Sequence, residues 1–228
     1  MEMTFADQVI NFNQNLNLDI KLPKAIKVLH PFRENPDVLS ISSAFYKKFY
    51  QDTNTRKMIL GINPGRLGAG ATGVPFTDTK RLKSHCEIET DFHLHEPSSA
   101  FVYEVIDVYG DVADFYKKFY VGSVCPLGFV IEDQKGRLKN YNYYDSKVLT
   151  ERVTPFIISS IKKQIDFGID TKQVFCMGTG KNYKFLKELN KKHQFFNEVI
   201  PLEHPRYVMQ YKTKQKAFYI DKYIKSLG

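Results

Sequence analysis

Residues 57–76 read KMILGINPGRLGAGATGVPF, and the expected fold follows from how this stretch changes character along its length. Met58-Ile59-Leu60 is a short apolar run without alternation, the pattern of a strand buried on both faces. It breaks at Gly61 into a loop that holds Pro64, Gly65, Gly68, Gly70, Gly73 and Pro75. A buried strand running into a Gly/Pro-rich loop is where α/β proteins place ligands, outside the carboxyl ends of their strands. Asn63 falls just past the strand end, an amide with a proline behind it, and the glycines let backbone approach a ligand closely. A strand-to-helix crossover without chemistry has the same composition, so this stretch alone leaves both readings open.

Working outward, three further segments have strand character: Phe119-Tyr120-Val121, Gln173 to Met177 and Glu198 to Leu202. They end at Gly122-Ser123, at Gly178-Thr179-Gly180-Lys181 and at Glu203-His204-Pro205-Arg206. Between them lie helical patterns: Ala100 to Tyr109, Val112 to Lys118, a long helix from a Ser146 cap to about Phe167, and Lys181 to Lys192. Pro155 falls inside the long helix, where a kink is expected. A last helix is expected from Lys214 to Lys225. Strands alternating with helices predict an α/β fold, a three-layer α/β/α arrangement around a central, mainly parallel four-stranded sheet. Parallel strands end on one edge, so Asn63, Ser123 and His204 are expected to meet there.

On the N-terminal side, Phe5, Val9, Phe12 and Leu16 have helical spacing. Ile20 to Asp37 carries three prolines and reads as an extended covering segment, and Asp37 reads as the cap of a helix to about Tyr50. Residues 1–228 thus form one expected domain, with 1–56 as a helical covering segment and 57–228 as the α/β core. Two polar stretches, Thr77 to Glu96 with at most a short helix, and Glu132 to Tyr144, read as surface excursions.

Composition narrows the function. The 33 Lys and Arg outnumber the 25 Asp and Glu, for a net charge of +8, which suits a polyanionic partner. Fourteen Tyr and 18 Phe with no Trp supply rings, some of which can stack on bases. Three widely spaced cysteines, Cys86, Cys125 and Cys176, contain no CxxC pair, which argues against a zinc ribbon, an iron–sulfur cluster or a disulfide framework. His85-Cys86 and His93-x-His95 lack an acidic or CxxC partner that would complete a metal site. No leader-like or membrane-length apolar run is present, so an intracellular, cytoplasmic protein is expected.

Gly61-Ile62-Asn63-Pro64-Gly65, then Thr72-Gly73-Val74-Pro75-Phe76, Ser123-Val124-Cys125-Pro126-Leu127 and His204-Pro205 together carry a resemblance. The sequence resembles the uracil-DNA glycosylase superfamily, nearest its single-strand-selective monofunctional (SMUG-type) branch. The resemblance implies a monofunctional DNA glycosylase that flips a base from the stack, with no metal or cofactor, acting as a monomer on single- or double-stranded DNA. It implies that Asn63 orients the attacking water and that His204 donates to the departing base. Phe76 would stack on the flipped ring, and Ile62, Gly65, Gly73, Val74 and Ser123 would complete the pocket, with Gly65 leaving room at the pyrimidine 5-position.

Two departures from the family pattern bear on specificity. Ser123 stands where the family has a base-reading Asn, which extends the expected substrates to 5-substituted uracils or deaminated purines such as xanthine and hypoxanthine. After His204-Pro205 the usual Ser-Pro-Arg-Asn is replaced by Arg206-Tyr207-Val208-Met209-Gln210-Tyr211-Lys212. Arg206, Lys212 and Lys214 are the expected DNA contacts, Arg206 as a residue that fills the vacated stack. A damage-binding protein with a disabled site is the competing class. A nucleotide-binding protein built on Gly178 and Gly180 is a third, although the GxxxxGK[ST] spacing is absent.

Overall fold

A computed structural model describes residues 2–228. The strands are β1 (Ile26–Leu29), β2 (Arg56–Gly61), β3 (Phe119–Ser123), β4 (Gly128–Glu132), β5 (Leu138–Tyr141), β6 (Ile169–Met177) and β7 (Glu198–Leu202). The helices are α1 (Phe5–Gln14), α2 (Pro31–Glu34), α3 (Pro36–Phe49), α4 (Ala69–Thr72), α5 (Thr79–Cys86) and α6 (Pro97–Tyr109). They continue with α7 (Val112–Lys118), α8 (Lys147–Ile165), α9 (Lys181–His193), α10 (Pro205–Tyr211) and α11 (Lys216–Leu227).

The four expected strands form one sheet, ordered β3-β2-β6-β7 and parallel throughout. Helices cover it to give the three-layer α/β/α fold, with α7 against β2 and β3 and α8 and α9 against β6. Met58, Ile59 and Leu60 are each at most 1% exposed, as a strand covered on both faces requires. The chain leaves β2 for β3 on one side and returns to β6 on the other, so the order reverses at β2/β6. That reversal opens the crevice in which open α/β sheets bind ligands.

A second sheet, β1-β4-β5, is antiparallel and was not expected. Its hairpin turns at Asp133, whose carboxylate accepts from the Lys135 and Arg137 N–H groups, while Gly136 takes φ +75°. These backbone hydrogen bonds, with the Arg137 and Lys139 side chains, hold Asp133 down to about 2. The excursion from Glu132 to Tyr144 is therefore ordered, and the polarity of β5 reflects its exposure rather than a loop. β1 comes from the stretch expected only as a cover.

Other corrections are local. The cap of α3 is Asn35, accepting from the Asp37 N–H at 2.9 Å, with Pro36 in the first turn, where its missing N–H costs nothing. Thr77 to Glu96 holds one short helix, α5, which its reading allowed, but Leu82 and Cys86 are buried and not at the surface. The last helix starts at Lys216, after the additional α10.

Arg56 ties the N-terminal helices to β2. Its side chain is fully buried, paired with Asp52 at 2.8 Å, and donates to the Tyr116 and Asn54 carbonyls. Its guanidinium lies 4.7 Å from both the Phe5 and Tyr50 ring centres. A buried cation persists only with partners of this number and quality.

Candidate active site

β2 and β3 stay paired to their ends, with Gly61 opposite Ser123. Beyond them the loops remain joined, Val124 N–H to Gly61 O and Cys125 N–H to Ile62 O. Asn63 and Ser123 are thus delivered side by side. A side chain at Gly61 would put its Cβ 3.0 Å from the Phe76 ring, so glycine there lets Phe76 sit over the strand end. Phe76 itself takes φ +53°, a turn that carries its ring to 5.8 Å from the His204 ring.

His204 follows β7 and caps α10. Its Nδ1 accepts from the Arg206 N–H at 3.1 Å, so the ring proton resides on Nε2. Burial and the adjacent Arg206 charge push its pKa down to about 4, so the ring is neutral near pH 7. The result is an uncharged N–H donor, held in one tautomer, on a cavity wall.

That cavity has a volume of about 310 Å³ and brings together Ile62, Asn63, Gly65, Phe76, Ser123 and His204, with Arg206 at its edge. Gly73 and Val74, expected in the wall, do not line it. Gly73 ends α4 at φ +70° and its missing side chain faces Phe32, Ser42 and Val38, while Val74 is 1% exposed. Lys212 and Lys214 lie beyond α10, outside the cavity.

The expected room at Gly65 is bounded by Asn140, whose Nδ2 would be 3.2 Å from a Cβ there. Beside Gly122 the space is filled, because the side-chain Oε1 of Gln164 would lie 2.7 Å from a Cβ there. A separate void of about 30 Å³ does reach Ser123 from behind, between Pro64, Pro75 and Gln164. That is room for about one water.

Several residues of the site were not found from sequence. Asn140 and Asn142 enter from the β4–β5 hairpin, and the Tyr143 N–H donates to Asn63 Oδ1 at 3.1 Å. Asn63 Nδ2 faces the Pro64 and Tyr141 carbonyls, so the amide is held in one orientation, with a lone pair of its oxygen left over. Tyr143 is anchored in turn. Its hydroxyl donates to Asn182 Oδ1 at 2.7 Å, and Asn182 Nδ2 donates to Met177 O at 3.0 Å, at the end of β6. The Asp133–Gly136 turn signal was the available clue to this hairpin.

Glu96, at the head of α6, is the other unexpected group. Its Oε2 is buried without a partner among the described residues, and its carboxyl occupies the space a Gly68 side chain would take. Burial, with the neighbouring Asp78 carboxylate, raises its pKa to about 7 against the opposing effect of Arg206. The histidines weighed as metal ligands go elsewhere: His95 meets Asp78 at 3.2 Å, and His85 lies by Asp107.

The cavity therefore combines an oriented amide oxygen able to hold water, a neutral imidazole donor and an aromatic face. The model of the uracil DNA glycosylase superfamily matches residues 47–228. Among solved structures, wild-type SMUG2 of Pedobacter heparinus is similar with a TM-score of 0.97 and 52% identity, over 99% of this chain and 97% of that one. No curated protein matches the chain. No helix among the described residues is long and apolar enough to cross a membrane. On its family match and this likeness along nearly its whole length, the chain belongs to the uracil DNA glycosylase superfamily.

Proposed function

We propose that this cavity hydrolyses the N-glycosidic bond of uracil and related deaminated or oxidised bases in DNA, after the base has been extruded into it. The observation that carries the reading is the His204 tautomer: with Nδ1 occupied by the Arg206 N–H, the free ring donor is Nε2–H. Bond cleavage builds negative charge on the departing base, and a preorganised donor lowers the energy of that state more than the ground state. Asn63 Oδ1, fixed by the Tyr143 N–H, is the acceptor that orients water toward the sugar. An amide is too weak a base to take the proton early, so its task is positioning. Phe76 offers its ring to the extruded base.

The test is incubation with uracil-containing single-stranded DNA followed by alkali, beside an undamaged control. Breaks at the uracil position support the reading. Binding without breaks would sink it and leave a damage-binding protein.

Two expected results concern the newly found groups. Tyr143→Phe removes only the hydroxyl held by Asn182, loosening the segment that orients Asn63. Single-turnover excision at saturating DNA should fall several-fold while DNA affinity stays within twofold, a loss on the order of 1 kcal/mol. A fall in affinity with no change in rate would rule out this positioning role.

Glu96 governs the pH profile. It is neutral below about 7 and anionic above, whereas His204, at about 4, stays neutral across this range. An anionic carboxylate opposes both the polyanion and the departing anion, so kcat/KM should decline as pH rises through about 7. Glu96→Gln should hold its value above that pH, several-fold over the parent. Identical profiles would show that Glu96 does not face the reacting groups.

A further inference from the structure

The helix that follows His204 presents a surface that the catalytic reading leaves unused. Arg206, Tyr207, Gln210 and Tyr211 fall on one face of α10 by helical periodicity, and all four line the mouth of the catalytic cavity. Val208 and Pro205 point into the protein instead. Tyr207 is 42% and Tyr211 66% exposed, their ring centres 5.8 Å apart.

These side chains are unusual for this molecule. Among the described residues the only exposed aromatics are Tyr207, Tyr211 and Phe218, all in one short stretch although the chain holds 32 Tyr and Phe (14 and 18). The same stretch contains Lys212 and Lys214, which make no ion pair among the described residues. Nearby Lys216 and Lys222 are engaged by Glu104 and Glu203. Exposed rings interleaved with unpaired cations beside a cavity match what single-stranded nucleic acid requires: faces for bases and charge for phosphates.

We propose that Tyr207 and Tyr211 form a stacking platform for two successive bases of a single DNA strand, next to the nucleotide whose base enters the cavity. Lys212 and Lys214 hold the phosphates of that strand. This rests on the glycosylase reading only in taking the cavity's occupant to be a DNA base. The ring geometry favours a single strand over a duplex. The two rings are tilted by 44° with centres 5.8 Å apart, so they cannot both lie flat on neighbouring bases that are parallel and ~3.4 Å apart in a duplex strand, whose faces are covered by one another. The platform therefore serves bases that have left the stack.

The experiment measures binding, without need of turnover, to an oligonucleotide carrying an abasic spacer at the target position, single-stranded and as a duplex. The double variant Tyr207→Ala/Tyr211→Ala should bind the single strand about ten- to a hundred-fold more weakly and the duplex nearly as well as the parent. Tyr207→Phe/Tyr211→Phe should restore binding, since it keeps both ring faces. Replacing the two bases on one side of the target by further spacers should weaken the parent but not the double-alanine variant. That scan reads the platform on the parent itself, whatever the folding of the variants.

Lys212→Ala/Lys214→Ala should instead flatten the salt dependence by about two units of slope while leaving base preference alone. Equal losses on single strand and duplex, no loss at all, or failure of the phenylalanine pair to restore binding would each overturn the proposal. A parent that binds in this pattern yet excises nothing would remove the glycosylase reading and leave the platform standing. A parent that excises, with tyrosines that do not matter, would remove the platform alone.

Discussion

His204→Ala and Asn63→Ala should each lower single-turnover excision of uracil by roughly a hundred- to a thousand-fold, with DNA affinity changed far less. The size follows from losing one preorganised hydrogen bond to a group that gains charge or bonding only in the transition state, on the order of 2.7–4 kcal/mol. His204 has a second duty that the test must separate. Its Nδ1 caps α10, so the alanine variant also loses a cap worth about 1 kcal/mol of stability. His204→Asn can keep the cap through its carbonyl oxygen while withdrawing the ring donor. Its stability should lie near the parent's and its activity near that of the alanine variant. The rate should also be insensitive to His204 titration from pH 5 to 9, because the ring charges only near 4. Linkage gives the matching sign for stability. The unfolded chain takes up the proton near 6.5 and the folded chain only near 4, so this contribution is complete above 6.5 and is lost progressively as pH falls toward 4. Full excision by folded Asn63→Ala or His204→Asn protein would falsify the assigned roles.

Much of this architecture was legible because the decisive residues are simple. Met58-Ile59-Leu60 must be buried on both faces, and the parallel sheet follows once three more such runs alternate with helices. Asn63, Ser123 and His204 were expected at one sheet edge, and they line one cavity. What escaped is set by contacts distant in sequence. β5 is mostly exposed and reads as a loop; it becomes a strand through pairing with β4, which in turn needs β1, about a hundred residues earlier. Asn140, Asn142 and the Tyr143 N–H enter the site on that hairpin, so missing the sheet meant missing them. Glu96 was hidden in a polar stretch because its burial depends on Gly68 lying against it. On α10, Arg206 was expected as a DNA contact, but Tyr207 and Tyr211 were missed for the opposite reason, since they are notable only for remaining exposed. At Gly122, beside Ser123, the Gln164 side chain occupies the space that the absent side chain leaves, a contact 42 positions away in sequence.

Ser123→Asn should shift base preference toward uracil by tens-fold relative to 5-substituted uracils, xanthine and hypoxanthine. Ser123 ends β3, is 8% exposed, lines the cavity, and its hydroxyl makes no hydrogen bond to the protein among the described residues. It is therefore available to a ligand, but one short hydroxyl cannot meet both groups on the edge of uracil at once. An amide can, donating to O4 and accepting from N3–H, while cytosine presents the reversed pattern and is refused. The void of about 30 Å³ behind Ser123 suits a water that completes the serine's contacts and adapts to either polarity. Adaptability of that kind relaxes selection instead of sharpening it. Introducing the amide fixes the pattern and leaves any base with the wrong edge facing an unpaired buried group, at a cost of roughly 1–3 kcal/mol. Competition assays on single-lesion oligonucleotides measure the change as ratios of kcat/KM. Since Gln164 and Asn140 bound the neighbouring space, the gain should come from discrimination against the other bases and not from tighter packing of uracil. An unchanged order of preferences in Ser123→Asn would mean that the base edge is read elsewhere, with Asn140 and Asn142 the next residues to exchange.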